Sequence, residues 1–174
     1  MSSIDSTPEN KNFLNPNNFR FTIKKAPHVN FFIQRVNLPS MDLPDTNMPT
    51  PFVKIPYPGE HIIYGPLTIT FKVDEDLRNY MEIQNWLSAL GKPLDFNQYA
   101  NIERIPLMTG DGITTDISLS ILSSAKEPNY EVTYMDAFPV SISELTFNTT
   151  NVDVNYIEAT ATFKFLNYKI VKTY

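Results

Sequence analysis

The chain has no cysteine. That removes disulfides, cysteine nucleophiles and thiolate metal sites in one step. Glycine is scarce, at 5 in 174 residues, which leaves little material for a phosphate-cradling loop. No GxSxG, P-loop or GxGxxG pattern occurs. Histidine occurs twice, at His28 and His61, with no HExxH or paired spacing, so a histidine-based metal or catalytic centre has no constellation behind it. No run approaches the roughly 18 apolar residues of a membrane span, and the polar start MSSIDSTPENKN lacks the basic and apolar regions of a signal peptide. Cationic excess is also missing. The net charge is −5, opposite to what a phosphate-neutralising groove needs. Neither a cofactor nor a metal is expected, and an enzyme is the least supported reading.

What the chain has is aromatic residues and proline: 12 Phe, 9 Tyr and 14 Pro. Residues 1–15 are rich in Ser, Asn, Asp and Pro and read as a flexible N-terminal arm, with a single domain over 16–174. Phe19, Phe21 and Ile23 alternate with Arg20, Thr22 and Lys24, the period of a half-buried strand. Residues 30–37 read as a second strand, hairpinned to the first through a turn at Pro27-His28. Leu67, Ile69, Phe71 and Val73 alternate with Thr68, Thr70 and Lys72 in the clearest strand of the chain. One helix is expected from Asp74 or Glu75 to Leu90, opened by the acids Asp74, Glu75 and Asp76, which suit the positive end of a helix better than a metal site. Its apolar stripe runs through Leu77, Tyr80, Met81, Leu87 and Leu90, widened by Ile83 and Trp86. Gly91 and Pro93 stop it. Residues 92–112 read as irregular, ending in a turn at Asp111-Gly112. Further strands follow from Ile113, from Tyr130 and from Ile157, with a parity slip near Ser143-Glu144 that suggests a bulge. Strands with two distinct faces and a lone helix specify a mainly β fold, an antiparallel β-sandwich or barrel with one flanking α-helix.

Between Pro39 and Pro66 lie seven of the fourteen prolines. Proline cannot donate to a sheet ladder and breaks helices, so this segment is expected to be a long, stiff, extended loop with at most a short strand near 60–63. A long segment of this kind in a compact domain is usually functional. Most aromatics fall on strand or helix stripes, where packing explains them. Tyr57, Tyr64 and Tyr99 do not, and they keep a virion carbohydrate- or receptor-binding β-sandwich open as an alternative.

Three stretches, NNFRFTI, FFIQRVNLP with the proline-rich loop behind it, and LTITFKVDEDLRNYMEIQNWLSAL, resemble the major tail tube proteins of T-even-like contractile phages. The C-terminal AFPVSISELTFNTTNVDVNYIEATATFKFLNYKI is similar to the closing strands of that family. The resemblance covers about two thirds of the chain. It implies a non-enzymatic structural subunit, also similar in fold to the ring protein of type VI secretion. Copies would join their sheets in hexameric rings, and the rings would stack into a hollow tube. Its partners would be further copies, the tail sheath protein and baseplate tube proteins, with DNA passing through without specific binding. The location would be the virion tail after synthesis in the host cytoplasm. A baseplate or hub tube initiator or adaptor of the same fold is the alternative. In this frame Met41, Leu43, Pro44, Met48, Pro49, Pro51, Phe52 and Pro56 are candidates for inter-subunit or inter-ring contact, and Glu158, Thr160, Thr162 and Lys164 for a lumen or interface face. Six copies would carry a charge of about −30, which suits a bore that repels phosphate.

Overall fold

The computed structural model describes residues 11–49, 51–91, 113–149 and 156–173. The expectations for residues 1–10, for the segment 92–112 with Tyr99, Pro93 and Asp111-Gly112, and for the turn at 150–155 lie outside the described residues. In chain order the elements are β1 (Phe19–Ile23), α1 (Pro27–Phe32), β2 (Ile33–Val36), β3 (Met41–Asp42), β4 (Asp45–Pro49), β5 (Lys54–Pro58), β6 (Ile63–Tyr64), β7 (Leu67–Lys72), α2 (Arg78–Gly91), β8 (Thr115–Leu122), β9 (Pro128–Ile142), β10 (Glu158–Lys164) and β11 (Asn167–Lys172). The described fold is mainly antiparallel β, as the alternation requires.

Seven strands form one hydrogen-bonded path, β1-β8-β9-β10-β7-β2, with β11 added to β9. The fifteen-residue β9 serves two leaves. β8 pairs along Pro128–Ala137 with two irregularities, Tyr130–Met135 also pairs with β11, and Phe138–Ile142 pairs with β10. Between them Asp136 takes a positive φ of 54°, and the buried positions change parity from Val132 and Tyr134 to Ala137 and Pro139. A strand that bends in this way passes from one leaf to the other and lets both inner faces share a core. A second irregularity skips Val140, because Thr162 faces Ser141 while Phe163 faces Pro139. The expected bulge at Ser143-Glu144 is therefore displaced to Asp136 and Val140. Pairing continues through Ser143, whose N–H donates to the Thr160 carbonyl at 2.8 Å.

The core joins Phe21, Ile23, Ile117, Leu119, Val132 and Tyr134 of the first leaf to Leu67, Ile69, Phe71, Ala159, Ala161 and Phe163 of the second. Helix α2 adds Ile83 and Trp86. The Trp86 ring lies 6.1 Å from Phe163, and its Nε1 donates to the Ile113 carbonyl at 3.2 Å.

Four expectations change. Residues 27–32 are helical, with Pro27 in the first turn where its fixed φ fits. Asn30 then closes the end of β1: the Ile23 N–H donates to its Oδ1 at 2.8 Å and its Nδ2 donates to the Ile23 carbonyl at 3.1 Å. Secondly, β1 and β2 are not a hairpin. β1 pairs with β8 and β2 with β7, at opposite ends of the path. Thirdly, α2 begins at Arg78, after a turn in which the Leu77 N–H donates to the Asp74 carbonyl at 2.9 Å. The three acids precede the helix, and its first turn holds none. The buried stripe is Asn79, Ile83, Trp86 and Ala89, with Leu77 and Met81 exposed. The amide of Asn79 explains this arrangement. Its Nδ2 donates to the Lys72 carbonyl at 2.8 Å and its Oδ1 accepts from the Asp74 N–H at 3.2 Å, tying the helix to the end of β7. Finally, β10 stops at Lys164 and the chain turns through Phe165 and Leu166 into β11, which the alternation of the long closing strand does not announce.

Candidate assembly surfaces

The proline-rich segment is not structureless. β3 pairs with β6 and β4 with β5, so residues 41–64 form a narrow antiparallel arm. It is nonetheless no part of the core sheet, as its prolines dictate. Every described residue of β4 and β5 is exposed. Two glycines let the strands approach. The Gly59 N–H donates to the Pro44 carbonyl at 2.7 Å, and a Cβ on Gly59 would lie 2.3 Å from that oxygen. At the root, Gly65 N–H donates to the Ser40 carbonyl at 3.0 Å. Tyr64 anchors the arm to the body, 5.6 Å from the Phe165 ring and 5.5 Å from Tyr168, which pack in turn on Tyr134.

Of the arm positions named from sequence, Met41, Leu43 and Met48 expose their side chains, and Phe52 is 96% exposed. Pro51 and Phe52 lie at the tip between β4 and β5, Pro49 ends β4 and Pro56 sits inside β5. Pro44 lies at the hinge opposite Gly59. Val53, Ile55, Ile62 and Ile63, which the sequence pattern does not single out, are exposed on the same arm, as is Tyr57. Nine large apolar side chains therefore face water within 24 residues. Fully burying one such side chain is worth roughly 1.5–3 kcal/mol, and isolated exposed apolar residues are ordinary while a contiguous set marks a contact surface. Tyr57 belongs to this set, and Tyr64 is the anchor, so neither forms a separate aromatic site.

The second named set lies together. On β10, Ala159, Ala161 and Phe163 turn into the core while Glu158, Thr160, Thr162 and Lys164 turn outward. The register adds neighbours from β7 and β2: Glu158 faces Lys72, Thr160 faces Thr70, Thr162 faces Thr68, and Arg35 faces Thr70. The Thr70 and Thr160 hydroxyls are 3.5 Å apart. Lys72 places its Nζ 3.5 Å from the centre of the Tyr156 ring. Among the described residues the outer face of the second leaf thus carries threonine hydroxyls with Arg35, Lys72 and Lys164 against a single acid, Glu158.

His28 and His61 form no shared centre. The His28 Nδ1 contacts the Glu82 carboxylate, which also accepts the His28 backbone N–H at 3.2 Å and so caps α1 from α2. Among the described residues no group of three or more His, Asp or Glu gathers to hold a metal ion.

A sequence profile of the phage tail tube protein family matches residues 6–171. The chain belongs to the phage tail tube protein family. No curated protein sequence matches it significantly. Among solved structures, the tail tube chain is similar to one in the tube-terminating cap of the anti-feeding prophage, with TM-score 0.62, 14% identity, and 99% of this chain and 100% of that chain covered. It is also similar to a chain of the PVC sheath–tube complex, an extracellular contractile injection system in its extended state, with TM-score 0.58, 15% identity and 99% of each chain covered. A type six secretion system protein aligns at TM-score 0.51 and 8% identity over 87% of this chain and 81% of that one. At these identities the likeness is one of fold. The family membership makes the role structural, in a tail tube.

Proposed function

We propose that this tail tube chain is the repeating subunit of the inner tube of a contractile tail. It assembles into hexameric rings, the rings stack, and the arm at 41–64 reaches from one copy to a neighbouring copy or ring. The observation that carries this reading is the arm itself, a paired, proline-stiffened projection with nine apolar side chains in water. Proline lowers the entropy lost when such a segment orders at an interface. Unpaired sheet edges closing between identical chains would remove the aggregation hazard of open edges. The sheath would surround the tube, baseplate proteins would seat it, and DNA would pass through with no specific binding. The outer face of the second leaf, with Glu158, Thr160, Thr162 and Lys164, lines the bore in this proposal. Its three cations and one acid make the wall near-neutral to basic among the described residues, so the acids behind the net charge of −5 sit elsewhere. Transit then rests on a smooth hydroxyl surface and not on an acidic one.

Negative-stain electron microscopy with mass measurement of the purified chain tests the reading. Long stacked tubes support the repeating subunit. Single rings would favour a tube cap or baseplate adaptor, and a monomer at high concentration would overturn self-assembly. Deleting residues 44–51 should leave a folded chain that no longer stacks, and normal tubes from that variant would refute the role of the arm. Because the chain lacks cysteine, Thr160→Cys reports the bore directly. In assembled tubes a small maleimide should label it, while a maleimide on a 5-kDa polymer should not. Equal labelling by both would place this face outside.

A further inference from the structure

The chain offers several strand edges, and they differ. The end of β1 is occupied by the Asn30 amide. β2 is four residues long with a register irregularity. The outer half of β9 contains Pro139, which has no N–H, beside the irregularity at Val140. β11 differs from all three. Its six residues pair with β9 in unbroken register, from Asn167 opposite Met135 to Lys172 opposite Tyr130. Among the described residues its other edge has no strand partner. Ile170 and Val171 are about half exposed, on opposite faces of the strand, and Lys169 and Lys172 are exposed beside them.

Lysine on a sheet edge rejects an identical edge by charge and accepts an acidic one. The arm is acidic, with Asp42, Asp45 and Glu60 against Lys54. Its two long strands are not equivalent. β5 carries Pro56 and Pro58, so two of its five residues have no N–H to donate, whereas Asp45, Thr46, Asn47 and Met48 of β4 all have one. Among the described residues β4 pairs only with β5. From Met41 to Pro51 the arm spans at most about 33 Å at the rise of a strand, long enough to carry β4 well away from its root at Tyr64.

Resting on the self-assembly reading above, we infer that the free edge of β11 receives strand β4 from the arm of a second copy. The added strand extends the first leaf, sets Met48 and its neighbours against Ile170 and Val171, and brings the acids of the arm to Lys169 and Lys172. Main-chain pairing supplies the attraction, and the charges choose the partner.

Charge swapping in the full chain tests the assignment. Sedimentation velocity at 150 mM salt, checked by electron microscopy, reads the assembled fraction. Lys169→Glu with Lys172→Glu should reduce it at least tenfold, as should Asp42→Lys with Asp45→Lys and Glu60→Lys. Mixing the two variants should restore assembly. All five positions are exposed, and unchanged circular dichroism and melting would verify that each variant folds. Hydrogen exchange gives a second readout: amides of 167–172 that face the free edge should slow at least tenfold on assembly. If the wild type assembles while the lysine variant assembles equally well, or mixing fails to rescue, the edge assignment is wrong and the tube reading stands. Unslowed exchange in β11 within tubes also overturns it. A wild type that never assembles would overturn both.

Discussion

β7 and β5 are both short antiparallel strands with apolar and aromatic residues, and they meet opposite fates. β7, LTITFK, lies between β10 and β2, and every second residue, Leu67, Ile69 and Phe71, is fully buried. β5, KIPYP, has among the described residues β4 on one side only, and all five of its residues are exposed. Hydrophobic content does not distinguish them. Two differences do: strict alternation, which gives β7 one face to bury and one to keep wet, and freedom from proline, which lets it pair on both sides. The body buries its apolar surface to fold, and the arm leaves its own exposed.

The largest test of this contrast pairs two phenylalanines. Phe163→Ala removes a fully buried ring packed on Trp86 and should cost about 3–5 kcal/mol in chemical denaturation. Phe52→Ala at the tip of the arm should change monomer stability by less than about 0.5 kcal/mol while weakening assembly. Equal losses would erase the distinction between body and arm. Next in size is Asn79→Ala, which strands the Lys72 carbonyl and the Asp74 N–H; it should cost roughly 1–3 kcal/mol, and a neutral result would show that water replaces the amide.

A smaller effect of opposite sign is expected at Tyr134. Its hydroxyl is buried without a hydrogen-bond partner among the described residues, so Tyr134→Phe should stabilise the chain by about 1 kcal/mol near neutral pH. Burial, and after it the Tyr168 hydroxyl, pushes the Tyr134 pKa well above the ordinary tyrosine value. A raised folded pKa means the protonated form is favoured by folding. Its contribution is full below the unfolded value of about 10 and is lost as pH rises above it. Melting temperature should therefore fall more steeply above pH 10 in the wild type than in the phenylalanine variant, and parallel curves would contradict the assignment. Smallest in global terms is Gly59→Ala. The added Cβ meets the Pro44 carbonyl, so the Gly59 amide should lose about tenfold in exchange protection as the arm strands part, with overall melting almost unchanged. A large drop in melting would mean that the arm supports the core after all.

Much of this was legible in the sequence. The alternation of β1, β7, β8 and β10 assigned the strands and the wet faces, including Glu158, Thr160, Thr162 and Lys164, and the proline pattern marked 39–66 as a projection outside the core. Reading failed where one residue served two possible periods or where an amide took a backbone's place. NFF after Pro27 suits a strand by composition, yet it forms α1 because Asn30 can then close β1. Asn79 interrupts the apolar stripe of α2, so the stripe was set one step aside, on Leu77 and Met81. The proline-rich segment hid its own pairing, since β-propensity is low at proline even where a two-stranded arm needs few N–H donors.

The sequence by itself determined which faces are apolar, because side-chain direction repeats every two residues in a strand and every 3.6 in a helix, and that is local geometry. It also determined the exclusion of thiol chemistry. Tertiary structure alone decided which strands meet: β1 with β8, β2 with β7, and β9 shared between two leaves by the bend at Asp136. Pairing joins residues far apart in the chain, and a strand's pattern carries its faces but not the identity of its partner. For the same reason only the fold shows that nine apolar side chains of the arm stay exposed, and that among the described residues β11 has a strand partner on one edge alone.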